Sequence, residues 1–173
     1  EIGRRTRPFS YGLIGFYDPL IPRHLRLEVR ERISAEGKVI VPLNEDDVRR
    51  AARRLGDAGA EAVVVCFLHS YANPSHERRA LEIVRAVWPN RFVSGSIEVL
   101  PEFREFERVS TMAVNGYVQP LIHRYLTALE ARLQEASYGG QLLVIQANGG
   151  TMAARVAAER AVNTVFSGPA AGV

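Results

Sequence analysis

The 173-residue sequence predicts an α/β fold, a three-layer α/β sandwich with an irregular N-terminal arm and a β-hairpin in front of it. Three observations point there. At Asn44 the spacing of apolar residues changes from a strand period to a helical one. The stretch Glu61 to Leu68 is apolar throughout after its first residue, as in a strand covered by helices on both faces. Helical and strand-like stretches then alternate, an order that right-handed crossovers turn into a parallel sheet.

Residues 1–43 read as the arm plus hairpin and residues 44–173 as the α/β domain. Pro8, Pro19 and Pro22 forbid long regular structure over residues 1–24. Leu25 to Ile33 alternates apolar and charged residues, and Lys38 to Val41 follows Ala35-Glu36-Gly37, a pattern expected of a hairpin with one wet face. Asn44 can cap a helix whose first turn, Glu45-Asp46-Asp47, suits the positive end of the helix dipole. Val48, Ala51, Ala52 and Leu55 form its apolar stripe and Gly59 ends it. After the buried strand, Asn73-Pro74 starts a second helix with Leu81, Val84, Val87 and Trp88 inward, stopped by Pro89. A short strand is expected at Arg91 to Ser94.

The longest helical pattern runs from about Pro101 to Ala136, with an apolar stripe through Phe103, Phe106, Val109, Ala113 and Tyr117 that Val118, Leu121, Ile122, Tyr125, Leu129 and Leu133 continue. Pro120 should kink or split it near Asn115-Gly116. Gln141 to Ala147 reads as a third strand, Thr151 to Glu159 as a short helix, and Val162 to Phe166 as a fourth strand leading into a helix start at Ser167-Gly168-Pro169. The sequence starts at Glu1 and stops within a Gly/Ala run, so it is expected to be an internal piece of a longer chain.

Hydrophobic residues at 47% and charged residues at 24% are ordinary globular proportions and exclude a disordered or fibrous class. The net charge of +3 comes from arginine pairs interleaved with acidic neighbours, so nucleic acid is not an expected partner. No apolar run approaches the length of a membrane span. The one cysteine, Cys66, excludes an internal disulfide and fits a reducing, cytoplasmic setting.

In open parallel sheets, ligands bind beyond the carboxyl ends of the strands, which directs attention to four loops. The first is His69 to Pro74. His69 is an acid, base or ligand candidate, although a strand-end histidine bonded to backbone is the plainer reading. His76 lacks the spacing of a metal pair, and no metal is expected. The second loop, Ser96 to Glu102, carries Glu98 and Glu102 into the long helix, where Arg104, Arg108, Thr111 and Asn115 share a polar face. That face is either solvated or used for a ligand or subunit. In the third, Asn148-Gly149-Gly150, glycines allow close backbone approach, but the run matches no phosphate-loop pattern. The fourth, Ser167-Gly168 onward, is a capped helix start. Ser110 has no histidine near it in sequence and reads as structural.

Together these stretches resemble the hydantoinase A / 5-oxoprolinase family, which includes subunits of acetone-type carboxylases. The resembling residues are Pro42-Leu43, the run Cys66 to Glu77, Glu98 to Glu102 with Arg104-Glu105 and Glu107-Arg108, then Ser110-Thr111, Asn115, Tyr117 and Pro120. Gln146, Asn148-Gly149-Gly150 and Ser167 to Val173 complete the set. The resemblance implies part of an actin-like ATPase (ribonuclease H-like) fold. It also implies an enzyme that uses ATP and Mg2+ to activate the carbonyl of a cyclic amide by phosphorylating its oxygen before ring opening. The expected partners are a small cyclic-amide substrate and a hydantoinase B-type subunit or domain. The substrate or interdomain contacts it points to are His69, Glu98, Glu102, Arg108, Thr111 and Asn115, with Asn148, Gly149, Gly150, Ser167 and Gly168 as backbone-loop contacts; catalytic residues are not assigned. The family's Asp-x-Gly-Gly-Thr phosphate loops do not occur in this sequence, so tight nucleotide binding by this stretch alone is not expected. Two alternatives stand beside the hydrolase: a subunit of an acetone-type carboxylase, and a non-catalytic subunit-interaction module.

Overall fold

The fold comes from a computed structural model, which describes residues 19–172. Most of the expected arm, residues 1–18, lies outside the described residues. The chain enters through a 3-10 turn at Arg23–Leu25. The hairpin pairs β1 (Arg32–Ile33) antiparallel with β2 (Val39–Val41), with Arg32 opposite Val41 and Ile33 opposite Val39. Its first strand is much shorter than the alternation from Leu25 predicted. At Arg30 the backbone N–H donates to the Asp47 carboxylate at 3.2 Å instead of a strand partner, and the guanidinium donates to the same carboxylate at 2.6 and 3.1 Å. Side-chain docking onto the next helix replaces the ladder. All three residues of β2 are exposed, so the hairpin has no dry face there.

Helix α1 (Glu45–Asp57) starts where expected: the Asn44 side chain accepts the Asp47 N–H at 2.9 Å. Gly59, at φ +80°, carries the left-handed turn that leads into the sheet. Strand β3 (Val63–Val65) pairs in parallel with β4 (Val93–Gly95), and α2 (Ser75–Val87) is the crossover between them. Asn73 accepts the Ser75 N–H at 3.0 Å at the start of α2.

Around this pair the three layers are visible. Val63, Val65 and Val93 pack with Val48 and Ala52 of α1 and with Leu81, Ile83 and Val84 of α2. On the other face, Val64 meets Gly116 of α4 (Glu105–Glu135). A Cβ at Gly116 would lie 2.9 Å from Val64 Cγ1, so the missing side chain sets how closely helix and strand approach. Immediately after β4, the short helix α3 (Ser96–Val99) turns the chain towards α4.

Helix α4 differs from its expectation in two ways. It runs as one helix through Pro120, without the expected split. Its buried face also coincides only in part with the expected apolar stripe, of which Ala113 is buried and Ile122 is partly buried. Arg108, Met112, Asn115 and Gln119 point inward, whereas Tyr117 is 86% exposed and Phe103, Leu121 and Tyr125 are also exposed. The polar residues win the inner face because each finds a partner there, described below, while no described element covers the aromatic one.

Past α4, β5 (Leu143–Ile145) pairs antiparallel with β6 (Thr151–Ala153). The helix expected from Thr151 therefore starts later, as α5 (Ala154–Glu159). The fourth strand expected at Val162 to Phe166 is not a strand: Ala161–Thr164 is a 3-10 turn. There the Val162 N–H is taken by Asn115 Oδ1 at 3.1 Å, and Thr164 Oγ1 donates back to the Ala161 carbonyl at 2.7 Å, leaving no free edge for a ladder. A last short helix, α6, spans Ser167–Ala171. Leu126, Met152, Ala154 and Ala157 form a second, smaller core, and α4 spans the two cores.

Candidate functional site

The carboxyl ends of β3 and β4 are where ligand chemistry is expected, and the loops leaving them converge on one buried polar knot. Glu77 sits on the inward stripe of α2 with Leu81 and Val84, and is fully buried. Its carboxylate accepts the Phe67 N–H at 3.0 Å, the Ile97 N–H at 2.9 Å and the Ser96 hydroxyl at 2.9 and 3.0 Å. Opposite it, Arg108 of α4 is 1% exposed and donates to the Phe67 carbonyl at 2.5 Å and to the Glu102 carbonyl at 3.0 Å. The Arg108 guanidinium also lies 5.9 Å from the Tyr71 ring centroid, within cation–π range. Ser70, likewise buried, donates to Phe67 O at 3.1 Å and stands 3.4 Å from Ser96 Oγ. Glu77 and Arg108 thus hold the two sides of one residue, Phe67, just past β3.

This knot is closed to solvent and its hydrogen bonds are internal. Its chemistry is positioning: a buried carboxylate with three donors fixes the start of the His69–Asn73 loop and of α3 relative to α4. Cys66 beside it is not an activated nucleophile, since burial pushes its thiol above the ordinary range against the opposing pull of the Arg108 charge.

The structure distributes the expected site residues around the knot. His69, in the left-handed region at φ +55°, places Nδ1 2.9 Å from the Ile33 carbonyl and so ties the loop to the hairpin. His76 bonds the buried Glu31 at 2.9 Å. Glu98 accepts the Gly95 N–H at 3.0 Å and pairs with Arg85 at 2.8 Å, which closes the outer edge of β4. Glu102 is exposed and reaches the knot only through its backbone carbonyl. Thr111 donates to the Glu107 carbonyl of its own helix at 2.8 Å. Asn115 is fully buried and bridges the cores, donating to Ser94 Oγ at 3.3 Å and accepting from Val162.

Asn148, Gly149 and Gly150 lie apart from these, at the exposed turn between β5 and β6. The Gly149 N–H goes to the Gln146 carbonyl at 3.0 Å and the Gly150 N–H to Asn148 Oδ1 at 3.0 Å. With those donors spent internally, the turn is no phosphate cradle. Ser167 and Gly168 open α6, a helix of five residues, and show no side-chain bond. Neither of these two loops therefore fits a nucleotide phosphate group.

Sequence reasoning missed Glu77, Ser96 and Gln119. The signal was available for Glu77: a carboxylate on the same helical stripe as Leu81, Val84 and Trp88 has to be buried, and a buried carboxylate needs several donors.

Residues 1–88 match the model of the hydantoinase/oxoprolinase N-terminal region, and residues 108–173 match that of hydantoinase/oxoprolinase. The chain belongs to the hydantoinase/oxoprolinase family. It is 40% identical over 151 residues to caprolactamase subunit alpha of Pseudomonas jessenii, covering 87% of this chain and 22% of the relative. The crystal structure of the ATP-dependent caprolactamase of that organism superposes with a TM-score of 0.86 at 36% identity, over 97% of this chain and 24% of the other. A nucleotide-free acetone carboxylase structure gives a TM-score of 0.79 at 34% identity, over 91% of this chain and 23% of the other. The α/β class and the actin-like fold that the resemblance implied are borne out by these likenesses. The chain spans about a quarter of the length of each of these relatives.

Proposed function

We propose that the protein to which this chain belongs opens a cyclic amide ring in a reaction coupled to ATP hydrolysis. The observation that carries this reading is the likeness to the ATP-dependent caprolactamase, with a TM-score of 0.86 over 97% of the chain. Coupling makes chemical sense, because amide resonance leaves a lactam carbonyl a poor electrophile. In this reading ATP and Mg2+ are held by other parts of the protein. The present chain is the framework that orients two loops around the reaction site, His69–Asn73 and Ser96–Glu102. Among the expected contacts, His69 and Glu102 are the ones with side chains placed to meet a substrate or a neighbouring domain. Arg108 and Asn115 are positioning residues, since they are buried on protein partners. A second, hydantoinase B-type subunit is the proposed partner, in keeping with a relative designated a subunit alpha. The proposed setting is the cytoplasm, where Cys66 stays reduced. No helix among the described residues is long and apolar enough to cross a membrane.

One observation favours a second reading, an acetone-type carboxylase subunit: the acetone carboxylase structure also superposes with this chain, with a TM-score of 0.79. The readings separate by product. The full-length protein with its partner subunit is given ATP and caprolactam, hydantoin or 5-oxoproline, and the ring-opened acid is followed by mass spectrometry. Ring opening that needs ATP supports the hydrolase. Carboxylated ketone from acetone and bicarbonate, with no ring opening, replaces it with the carboxylase.

A further inference from the structure

A cleft of about 440 Å³ lies along the outer edge of β4, between α3, α4 and the end of α5. Three guanidiniums line it. That of Arg85 is neutralised by Glu98, whereas Arg91 and Arg160 have no carboxylate partner among the described residues. His123 stands on the wall with its ring edge-on to Phe92 at 5.6 Å, and burial together with the Arg91 and Arg124 charges holds its pKa below the usual histidine value. Against the three guanidiniums the cleft lining carries two carboxylates, Glu98 and Glu159, which leaves the wall with an excess of positive charge. Gln119 adds a second, independent sign. It is 6% exposed, its Nε2 donates to the Glu159 carbonyl at 3.2 Å, and its Oε1 is buried with no partner. Buried polar atoms ordinarily find partners, and the cost of leaving one unpaired is recovered when a ligand supplies a donor.

We propose that this cleft binds a small molecule through an anionic carboxylate or phosphate group, with Arg91 and Arg160 holding the anion and Gln119 and His123 contacting the polar remainder. Arg side chains offer forked donors that match either anion. The volume suits a small metabolite rather than a macromolecule. Glu159 on the same wall, not spent on an arginine, would also accept an ammonium group. An amino carboxylate, the ring-opened product class of a cyclic-amide hydrolase, therefore fits both ends. The choice of that probe rests on the hydrolase reading; the anion site does not.

The test is calorimetric titration of the full-length protein with ε-aminocaproate, with inorganic phosphate, and with n-hexylamine, which lacks the anion. The wild type is compared with Arg91→Gln, Arg160→Gln, the double variant carrying both, and an Arg53→Gln control on α1, all at exposed positions with no ion-pair partner among the described residues. Binding of ε-aminocaproate or phosphate should weaken about tenfold for each cleft arginine removed and stay unchanged in the control. Binding of the amino acid alone identifies a carboxylate ligand, and binding of phosphate alone a phosphorylated one. Binding of neither anion, equal binding to the double variant, or equally tight binding of n-hexylamine would overturn the proposal. Because no turnover is read, a protein that opens lactams but fails this test loses the cleft and keeps the proposed function. One that passes while showing no ring opening does the reverse.

Discussion

Glu77 and Arg108, from helices on opposite faces of the β3–β4 pair, bind the same residue: Glu77 accepts the Phe67 N–H at 3.0 Å, and Arg108 donates to the Phe67 carbonyl at 2.5 Å. The two charges fix the chain where it leaves β3, and so set the position of the loop that follows. Replacing Glu77 with Ala strands three buried donors, those of Phe67, Ser96 and Ile97. At about 1–3 kcal/mol for each buried group left unsatisfied, this is expected to cost several kcal/mol and to abolish cooperative unfolding near room temperature, read by thermal melting.

Arg108 separates positioning from direct contact. If it acts through Phe67 and Glu102, Arg108→Lys should lower the melting temperature and reduce activity together, because a single ammonium lacks the planar fork whose two nitrogens each take one carbonyl. Loss of activity with an unchanged melting temperature would instead place Arg108 on the substrate.

Asp47 makes the hairpin–α1 contact sensitive to acid. The Arg30 hydrogen bond, joined by the Arg30 and Arg50 charges, lowers its carboxyl pKa from 3.8 to about 2. A carboxyl depressed in the folded state contributes stability that is fully present above its unfolded pKa and lost as pH falls through the folded one. Stability should therefore decline between about pH 4 and pH 2, and Asp47→Asn should flatten that part of the curve, as measured by denaturant midpoints at stepped pH.

Gly116 and Gly149 are both glycines for identifiable reasons, but different ones. A methyl group at Gly116 would press 2.9 Å from Val64 Cγ1, so Gly116→Ala should cost about 1–3 kcal/mol through forced separation of α4 from the sheet. Gly149 has open space around it but sits at φ +82°. Gly149→Ala should cost about 1 kcal/mol from backbone strain alone. Denaturant midpoints of the two variants rank them.

Helix α1, the β3–α2–β4 crossover and the three layers around it were legible in the sequence, because Asn44, the apolar run after Glu61, and Pro74 with Pro89 are local signals that tertiary contacts did not override. Three features were not. The inward face of α4 is not legible because hydrophobicity favours Phe103, Tyr117 and Tyr125, while Arg108 and Asn115 are buried by hydrogen bonds that no periodicity encodes. Val162 to Phe166 has a strand composition but lost its ladder donor to Asn115, a residue 47 positions away. The Asn148-Gly149-Gly150 turn is legible as a turn, yet β6 after it reads as the start of a helix, because Thr151 to Glu159 is too short for its period to decide. The sequence marked the loops that follow β3 and β4, whereas the third expected loop is the β5–β6 hairpin turn and the fourth follows a 3-10 turn, not a strand. It could not mark the Glu77 carboxylate as the group that joins them, since that depends on Phe67, Ser96 and Ile97 meeting in space.

The most direct test of the account measures inorganic phosphate and free ring-opened amino acid in the same reaction of the full-length protein with its partner subunit, ATP and a lactam. The account predicts phosphate release that rises when lactam is added and is matched by amino acid formed. Phosphate release indifferent to every lactam, or dependent on a ketone and bicarbonate, would contradict it.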